Sequence, residues 1–207
     1  MQIIVRHNLL KRLEKVCEDL NLPVQAADNE ILKLMKRGYT IEEYVNLIKQ
    51  IKEEIPFIGL STDVIVGFPS ENEIKFQKTI DLLSGLKFDT VHVAAYSPRE
   101  GTYAAKELAD NVPTAEKKRR LETVEYVQSQ IASDLNRRLM GITTEVLVDS
   151  KKRDKWQGRT RTGKLVFFSD ERNWLGQLVN IKITKTSPWS LQGELEVSKE
   201  ERCAKVN

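Results

Sequence analysis

Cysteine is nearly absent from this chain: Cys17 and Cys203 are the two in 207 residues. So far apart they offer no metal-ligand spacing, and two unrelated reduced thiols are the plainer reading than a disulfide or a cluster. Histidine is as scarce, with His7 and His92 alone. No apolar run approaches the roughly 18 residues that span a bilayer, which argues against a membrane protein. The opening stretch, MQIIVRHNLLKRLEK, is too briefly apolar for a signal peptide and lacks a small-residue cleavage site. A cytoplasmic protein is therefore expected. Glycine (10) and proline (6) are too few for a fibrous or low-complexity chain. What is present is ordinary globular composition, 40% apolar and 30% charged with the signs mixed, which excludes disorder and suffices for one large or two modest domains.

Charge is unevenly placed. Residues 1–139 hold 20 Lys+Arg against 21 Asp+Glu, whereas residues 140–193 hold 10 against 5. That local excess points to a polyanionic partner for the C-terminal stretch.

The first part reads as mixed α/β. Leu9, Leu13, Val16, Cys17 and Leu20 fall at helical spacing, and Leu22-Pro23-Val24-Gln25 then makes a short extended element. Ile31, Leu32 and Met35 resume the helical period until Gly38. Thr40-Ile41-Glu42-Glu43 is a capping box opening a helix over 41–54. The run up to Gly67 ends in β-branched residues typical of a buried strand, a helix follows at about 72–86, and Thr90–Tyr96 is a second strand. Strand, helix and strand on short loops demand parallel pairing, and ligands in such sheets gather at the carboxyl ends of the strands. Those ends are Gly67-Phe68-Pro69-Ser70-Glu71 and Tyr96-Ser97-Pro98-Arg99. A long helix runs from Pro113 to about Leu139; the Lys117-Lys118-Arg119-Arg120 run in its first turns reads as a solvated charge run rather than a binding site. After Gly141 the period changes to alternation, and five short strands (144–149, 158–161, 164–168, 178–184 and 191–197) suggest a small barrel of the oligonucleotide-binding size.

That barrel carries the clearest chemistry. Lys151-Lys152-Arg153, Trp156, Arg159, Arg161 and Lys164 interleave cations with aromatics; cations neutralise phosphates, while aromatic faces and guanidinium planes stack on unpaired bases. Alternation would set Arg159 and Arg161 on one sheet face. Trp156 is the candidate stacker, with Trp174 and Trp189 as readily core. In the first part, Asp63 stands in an otherwise apolar strand, where a buried carboxylate needs a partner or a task. Gln25 is similar, and for each, capping of local backbone is an equal alternative. His92, between Val91 and Val93, reads as a hydrogen-bonded core residue. No nucleophile–base set and no phosphate loop is evident.

Several of these segments stand together in one order: Leu22-Pro23-Val24-Gln25, Met35-Lys36-Arg37-Gly38-Tyr39-Thr40, Ser61 to Pro69, Tyr96 to Thr102, and Gly158 to Phe168. In that order they resemble the radical-SAM methylthiotransferases, most closely the MiaB-type tRNA 2-methylthioadenosine synthases, over residues 16–197. The resemblance implies an α/β fold, the later part of a radical-SAM (β/α) barrel over 1–139, then a small all-β, OB-like TRAM barrel over 140–200 and a tail at 201–207. It implies two cofactors, S-adenosylmethionine and a pair of [4Fe–4S] clusters, which in the family place a methylthio group on C2 of an N6-isopentenylated adenosine beside the anticodon. Carried over by position, Gln25, Asp63, Val66, Gly67, Phe68 and Tyr96 would face the S-adenosylmethionine and target base, and none is an assigned acid or base. Lys151, Lys152, Arg153, Trp156, Arg159, Thr160, Arg161 and Lys164 would meet the tRNA anticodon arm.

The chain departs from the family pattern in having neither cysteine triad, so it holds no metal ligands and is expected to be inactive alone. It looks like the C-terminal portion of a longer enzyme, with the remaining N-terminal part as its partner and a monomer when complete. An incomplete barrel exposes a strand edge, so residues 1–139 in isolation are expected to self-associate. Two loops differ as well: Gln25-Ala26-Ala27-Asp28 replaces the frequent Gln-Ser-Gly-Ser, with Ala27 restricting positive φ, and Ser70-Glu71 replaces Gly-Glu, a milder change. The competing readings are a non-catalytic tRNA-binding module and a sister methylthiotransferase acting on threonylcarbamoyladenosine or a ribosomal protein. A cationic barrel favours tRNA over a protein substrate.

Overall fold

The computed structural model describes residues 16–196. Leu9 and Leu13 of the first expected helix, His7, Val197, Cys203 and the 201–207 tail lie outside them. The described end of that first stretch is not helical: Asp19–Asn21 is a strand, β1, paired in parallel with Gly59–Ser61. The chain divides into two compact units between Ile131 and Ala132.

The first unit is a parallel sheet in the order β1-β2-β3, with β2 at Gly59–Val66 and β3 at Thr90–Ala95. Between β1 and β2 come α1 (Asn29–Leu34) and α2 (Ile41–Glu54); α3 (Glu73–Leu86) joins β2 to β3 as the expected βαβ unit. The capping box at α2 forms in full, with Thr40 Oγ accepting from the Glu43 amide and the Glu43 carboxylate accepting from the Thr40 amide. Leu22–Gln25 is pinned from three sides: Tyr44 Oη and Thr62 Oγ1 donate to the Leu22 carbonyl, and the Val24 amide donates to Thr62 Oγ1. Along β2 the even-numbered residues, Leu60 to Val66, are buried against Tyr44, Ile48, Phe76 and Leu83. The odd-numbered face, Ser61, Asp63 and Ile65, is half-buried. The strand is therefore fully covered on one face and half-buried on the other.

The β2–α3 turn carries an unexpected strain. Ser70 sits at φ 70, with its amide donating to Asn111 Oδ1 at 2.9 Å. The left-handed backbone disfavours an L side chain, so Ser70→Gly is expected to stabilise the chain by about 0.5–1 kcal/mol, read as a raised thermal midpoint. Ala27, by contrast, is not among the left-handed residues; Gln25, two positions earlier, is, at φ 67.

After α4 (Tyr103–Glu107), α5 runs over Thr114–Arg137. The second unit closes β4 (Thr143–Lys152), β5 (Lys155–Thr160), β6 (Leu165–Phe168), β7 (Leu178–Thr186) and β8 (Leu191–Leu195) into a barrel ordered β4-β5-β6-β8-β7. The five expected strands are these five. The barrel is filled by Val146, Val148, Trp156, Val166, Phe168, Ile181, Ile183 and Leu191. Among the described residues no helix is long and apolar enough to cross a membrane.

Candidate functional site

A cavity of roughly 680 Å³ lies in the first unit at the carboxyl side of β2 and β3, within the size range of small-molecule and cofactor sites. Gln25, Asp63, Phe68 and Tyr96 of the expected site residues line it together, with His92 and the exposed Lys36, Arg37 and Arg99. Val66 is fully buried in the core on the other face of β2, and Gly67 is buried at the strand end; neither lines the cavity.

Asp63 is half-buried and accepts from Asn21 Nδ2 at 3.1 Å, so it is not the enclosed carboxylate its apolar neighbours suggested. Nor is His92 a core residue. It is exposed and stands opposite Asp63 in the β2–β3 register, on the cavity side. Gln25 continues the β1 edge: its amide donates to the Asp63 carbonyl and its carbonyl accepts from Ile65, both at 2.9 Å. Phe68 and Tyr96 meet edge to face at 4.9 Å and give the cavity an aromatic wall.

The end of α1 reaches the cavity because its start is fixed. Asp28 caps it, accepting from the Glu30 and Ile31 amides, and pairs with Lys78 at 2.6 Å. Burial pushes the Asp28 carboxyl up, but the Lys78 and Ile31 hydrogen bonds outweigh it and hold the group below its ordinary range. A depressed folded value means the stabilisation is present above the ordinary value and is lost as pH falls through the folded one. Asp28→Ala is thus expected to cost about 1–2 kcal/mol near pH 7, and less near pH 3, in urea unfolding.

The carboxyl ends of β2 and β3 are locked from α5, which corrects the solvated reading of its basic run. Lys117 and Arg120 are buried; Lys118 and Arg119 are the exposed pair. Lys117 Nζ donates to the Tyr96 carbonyl at 3.2 Å and to Asp110 at 2.6 Å. Arg120 donates to the Glu71 carbonyl and carboxylate at 2.8 and 2.9 Å, and the same carboxylate accepts from the Gly67 amide at 2.5 Å. Burial pushes the Glu71 carboxyl up, against the Gly67 amide and Arg120. The Arg119 hydrogen bond, more than those of Arg120, holds Glu116 down to about 2. Helical spacing carried the missed signal: positions 117, 120, 124 and 128 share the inward face.

In the barrel, Lys151, Lys152, Arg153 and Arg159 are exposed. Trp156 is not a stacking platform: it is buried in the barrel core, donates to the Asp170 carbonyl at 3.1 Å, and has Lys151 Nζ 4.6 Å from its ring centre. Thr160 is buried too, with its Oγ1 accepting from the Lys164 amide. Because β5 ends at Thr160, Arg161 lies in the turn and does not share a strand face with Arg159. Lys164 is half-buried and donates to Asn136 Oδ1 at 2.9 Å. The exposed tryptophan is Trp189, 56% accessible, and Lys182 and Lys185 of β7 add exposed cations that no local motif marked.

Among the described residues no group of three His, Cys, Asp or Glu side chains is placed to hold a metal ion, and the full chain has only two cysteines. A [4Fe–4S] cluster held by three thiolates does not fit these residues. A nucleoside-sized cofactor does fit the cavity, by volume and by its aromatic and polar lining.

Comparison with known proteins agrees with the sequence motifs. Residues 4–83 match the Radical SAM superfamily and residues 137–195 the TRAM domain. A protein of Dehalococcoides mccartyi strain CBDB1 named tRNA-2-methylthio-N(6)-dimethylallyladenosine synthase is 50% identical over 186 residues, 90% of this chain and 44% of the relative. A Roseiflexus protein of the same name is 48% identical over 198 residues, 94% of this chain and 41% of the relative. The chain thus spans less than half the length of these curated relatives. The solved coproporphyrinogen III oxidase of Escherichia coli, a radical SAM enzyme, overlaps 82% of this chain and 41% of its own at a TM-score of 0.47 and 18% identity.

Proposed function

We propose, on the premise that the first unit belongs to the Radical SAM superfamily and the second to the TRAM domain family, that this chain is the substrate-holding part of a tRNA methylthiotransferase. The reaction is methylthiolation at C2 of N6-isopentenyladenosine beside the anticodon. The observation that carries this reading is the pairing, in one chain, of a nucleoside-sized cavity at parallel strand ends with a cationic closed barrel.

In this reading S-adenosylmethionine and two [4Fe–4S] clusters supply the radical chemistry, and the protein supplies orientation and exclusion of water. Gln25, Asp63, Phe68 and Tyr96 hold the cofactor and target base through their side chains. Val66 and Gly67 act through backbone shape. The ligands of both clusters come from outside this chain, in the polypeptide that matches the remaining length of the relatives. Alone, the chain binds RNA and is inactive. Its setting is cytoplasmic, and the complete enzyme works as a monomer. Lys151, Lys152, Arg153 and Arg159 contact the anticodon arm, with Arg161 and Lys164 close by.

Fluorescence anisotropy of an anticodon stem-loop RNA titrated with the purified chain tests this. Tight binding at about 50 mM salt that weakens about tenfold or more by 200 mM is expected, since each phosphate contact releases counterions. Binding absent at low salt, or insensitive to salt, contradicts the reading.

A further inference from the structure

The cavity is electrostatically two-ended. Its lining includes one carboxylate, the half-buried Asp63, and three exposed cations, Lys36, Arg37 and Arg99, although residues 1–139 as a whole hold 20 Lys+Arg against 21 Asp+Glu. The pairing of cations around it sharpens the contrast. Lys75, Lys78, Lys117, Arg119 and Arg120 each bond a carboxylate. Among the described residues, Arg37 and Arg99 have no such partner.

Lys36 is set in place at the expense of its backbone. The Arg37 amide donates to the Leu32 carbonyl at 2.9 Å and the Lys36 amide to the Lys33 carbonyl at 3.0 Å, a Schellman ending in which the left-handed residue is ordinarily glycine. Here it is Lys36, at φ 58. Its ammonium lies 3.8 Å from the centre of the ring of Tyr103, another lining residue. A strained lysine, two unpaired arginines and a half-exposed tyrosine thus surround the solvent end of a cavity of nucleoside size.

We propose that Lys36, Arg37 and Arg99 form a phosphate clamp at the cavity mouth, gripping the phosphodiesters on either side of the single nucleotide that enters. Guanidinium groups suit this through bidentate contact, and Tyr103 offers a face to a neighbouring unpaired base. The clamp rests on the reading of the substrate as RNA. It adds an electrostatic anchor separate from the barrel, placed at the reacting nucleotide.

The test compares the full chain with the variant Lys36→Gly/Arg37→Gln/Arg99→Gln on the same stem-loop RNA across salt. Lys36→Gly relieves the left-handed strain, so thermal melting checks that the fold is kept. Expected are about tenfold or more weaker binding at about 50 mM salt and a log–log salt slope shallower by roughly 2, at about 0.7 per single-strand phosphate contact. Lys33→Gln, an exposed cation of α1 that does not line the cavity, is expected to leave the slope unchanged. Wild-type and triple variant with equal slopes overturn the clamp and leave the RNA reading standing. A wild-type chain that ignores the RNA overturns both.

Discussion

Replacing Arg120 with methionine is expected to lower the unfolding free energy by about 3–5 kcal/mol, the scale on which a buried ion pair responds to losing one partner. Both side chains are out of water, Arg120 at 5% and Glu71 at 2% exposure. The guanidinium satisfies the Glu71 carbonyl and carboxylate and also meets Glu116 at 2.8 Å. Methionine fills much of the space against Phe76, whose ring centre is 5.3 Å from the guanidinium, but satisfies none of those oxygens. The Glu71 carboxyl, already pushed up by burial, would rise further, so the variant loses least in mild acid, where Glu71 takes a proton. Adding Glu71→Gln should recover part of the loss, because two neutral groups need less solvation than one orphaned charge. A loss under about 1 kcal/mol in urea unfolding would mean the pair does not hold the strand ends.

The barrel is expected to fail when Gly158 gains a side chain. Gly158 lies opposite Val148 in the β4–β5 register, and a Cβ placed on it would come within 2.3 Å of the Leu147 carbonyl oxygen and 2.7 Å of Val146 Cγ1. The nearest obstacle is backbone, which cannot swing aside as a side-chain end does. The register shifts immediately beyond, between Val148 and Ser150, where β4 bends over β5. Gly158→Ala should therefore destabilise the barrel by about 3 kcal/mol, at the upper end for overpacking. RNA affinity should fall with it at temperatures above the lowered midpoint. Gly85→Ala, in α3 with nothing within 4 Å of the added atom, should leave the melt unchanged or raise it. An unaltered melt for Gly158→Ala would show that the two strands have room to part.

Much of this was legible wherever the signal was local. The Thr40–Glu43 capping box opening the helix over 41–54 needs only neighbouring residues, and both the box and the helix are as expected. The five barrel strands follow from alternation bounded by polar turns. Misreadings arose where the partner is distant. β1 is three residues long and exists through pairing with β2 some forty residues on, so the coincidental helical spacing of Cys17 and Leu20 could not reveal it. Asp63 and His92 are apolar-flanked but lie on the strand face that lines a cavity, a distinction periodicity does not make. Trp156 sits amid cations in sequence, yet its parity with Gly158 and Thr160 places it inside, opposite Phe168. The same parity, set by the plainly apolar Val166 and Phe168, was the signal that could have found it. For Lys36 there was none, since nothing in Met35-Lys36-Arg37-Gly38 says that the lysine, not the glycine, takes the left-handed position.

The most direct measurement is mass-spectrometric nucleoside analysis of tRNA from cells in which the reading frame encoding this chain is disrupted. A methylthiotransferase reading requires that 2-methylthio-N6-isopentenyladenosine disappears while N6-isopentenyladenosine accumulates in its place. Unchanged levels of both nucleosides would contradict it.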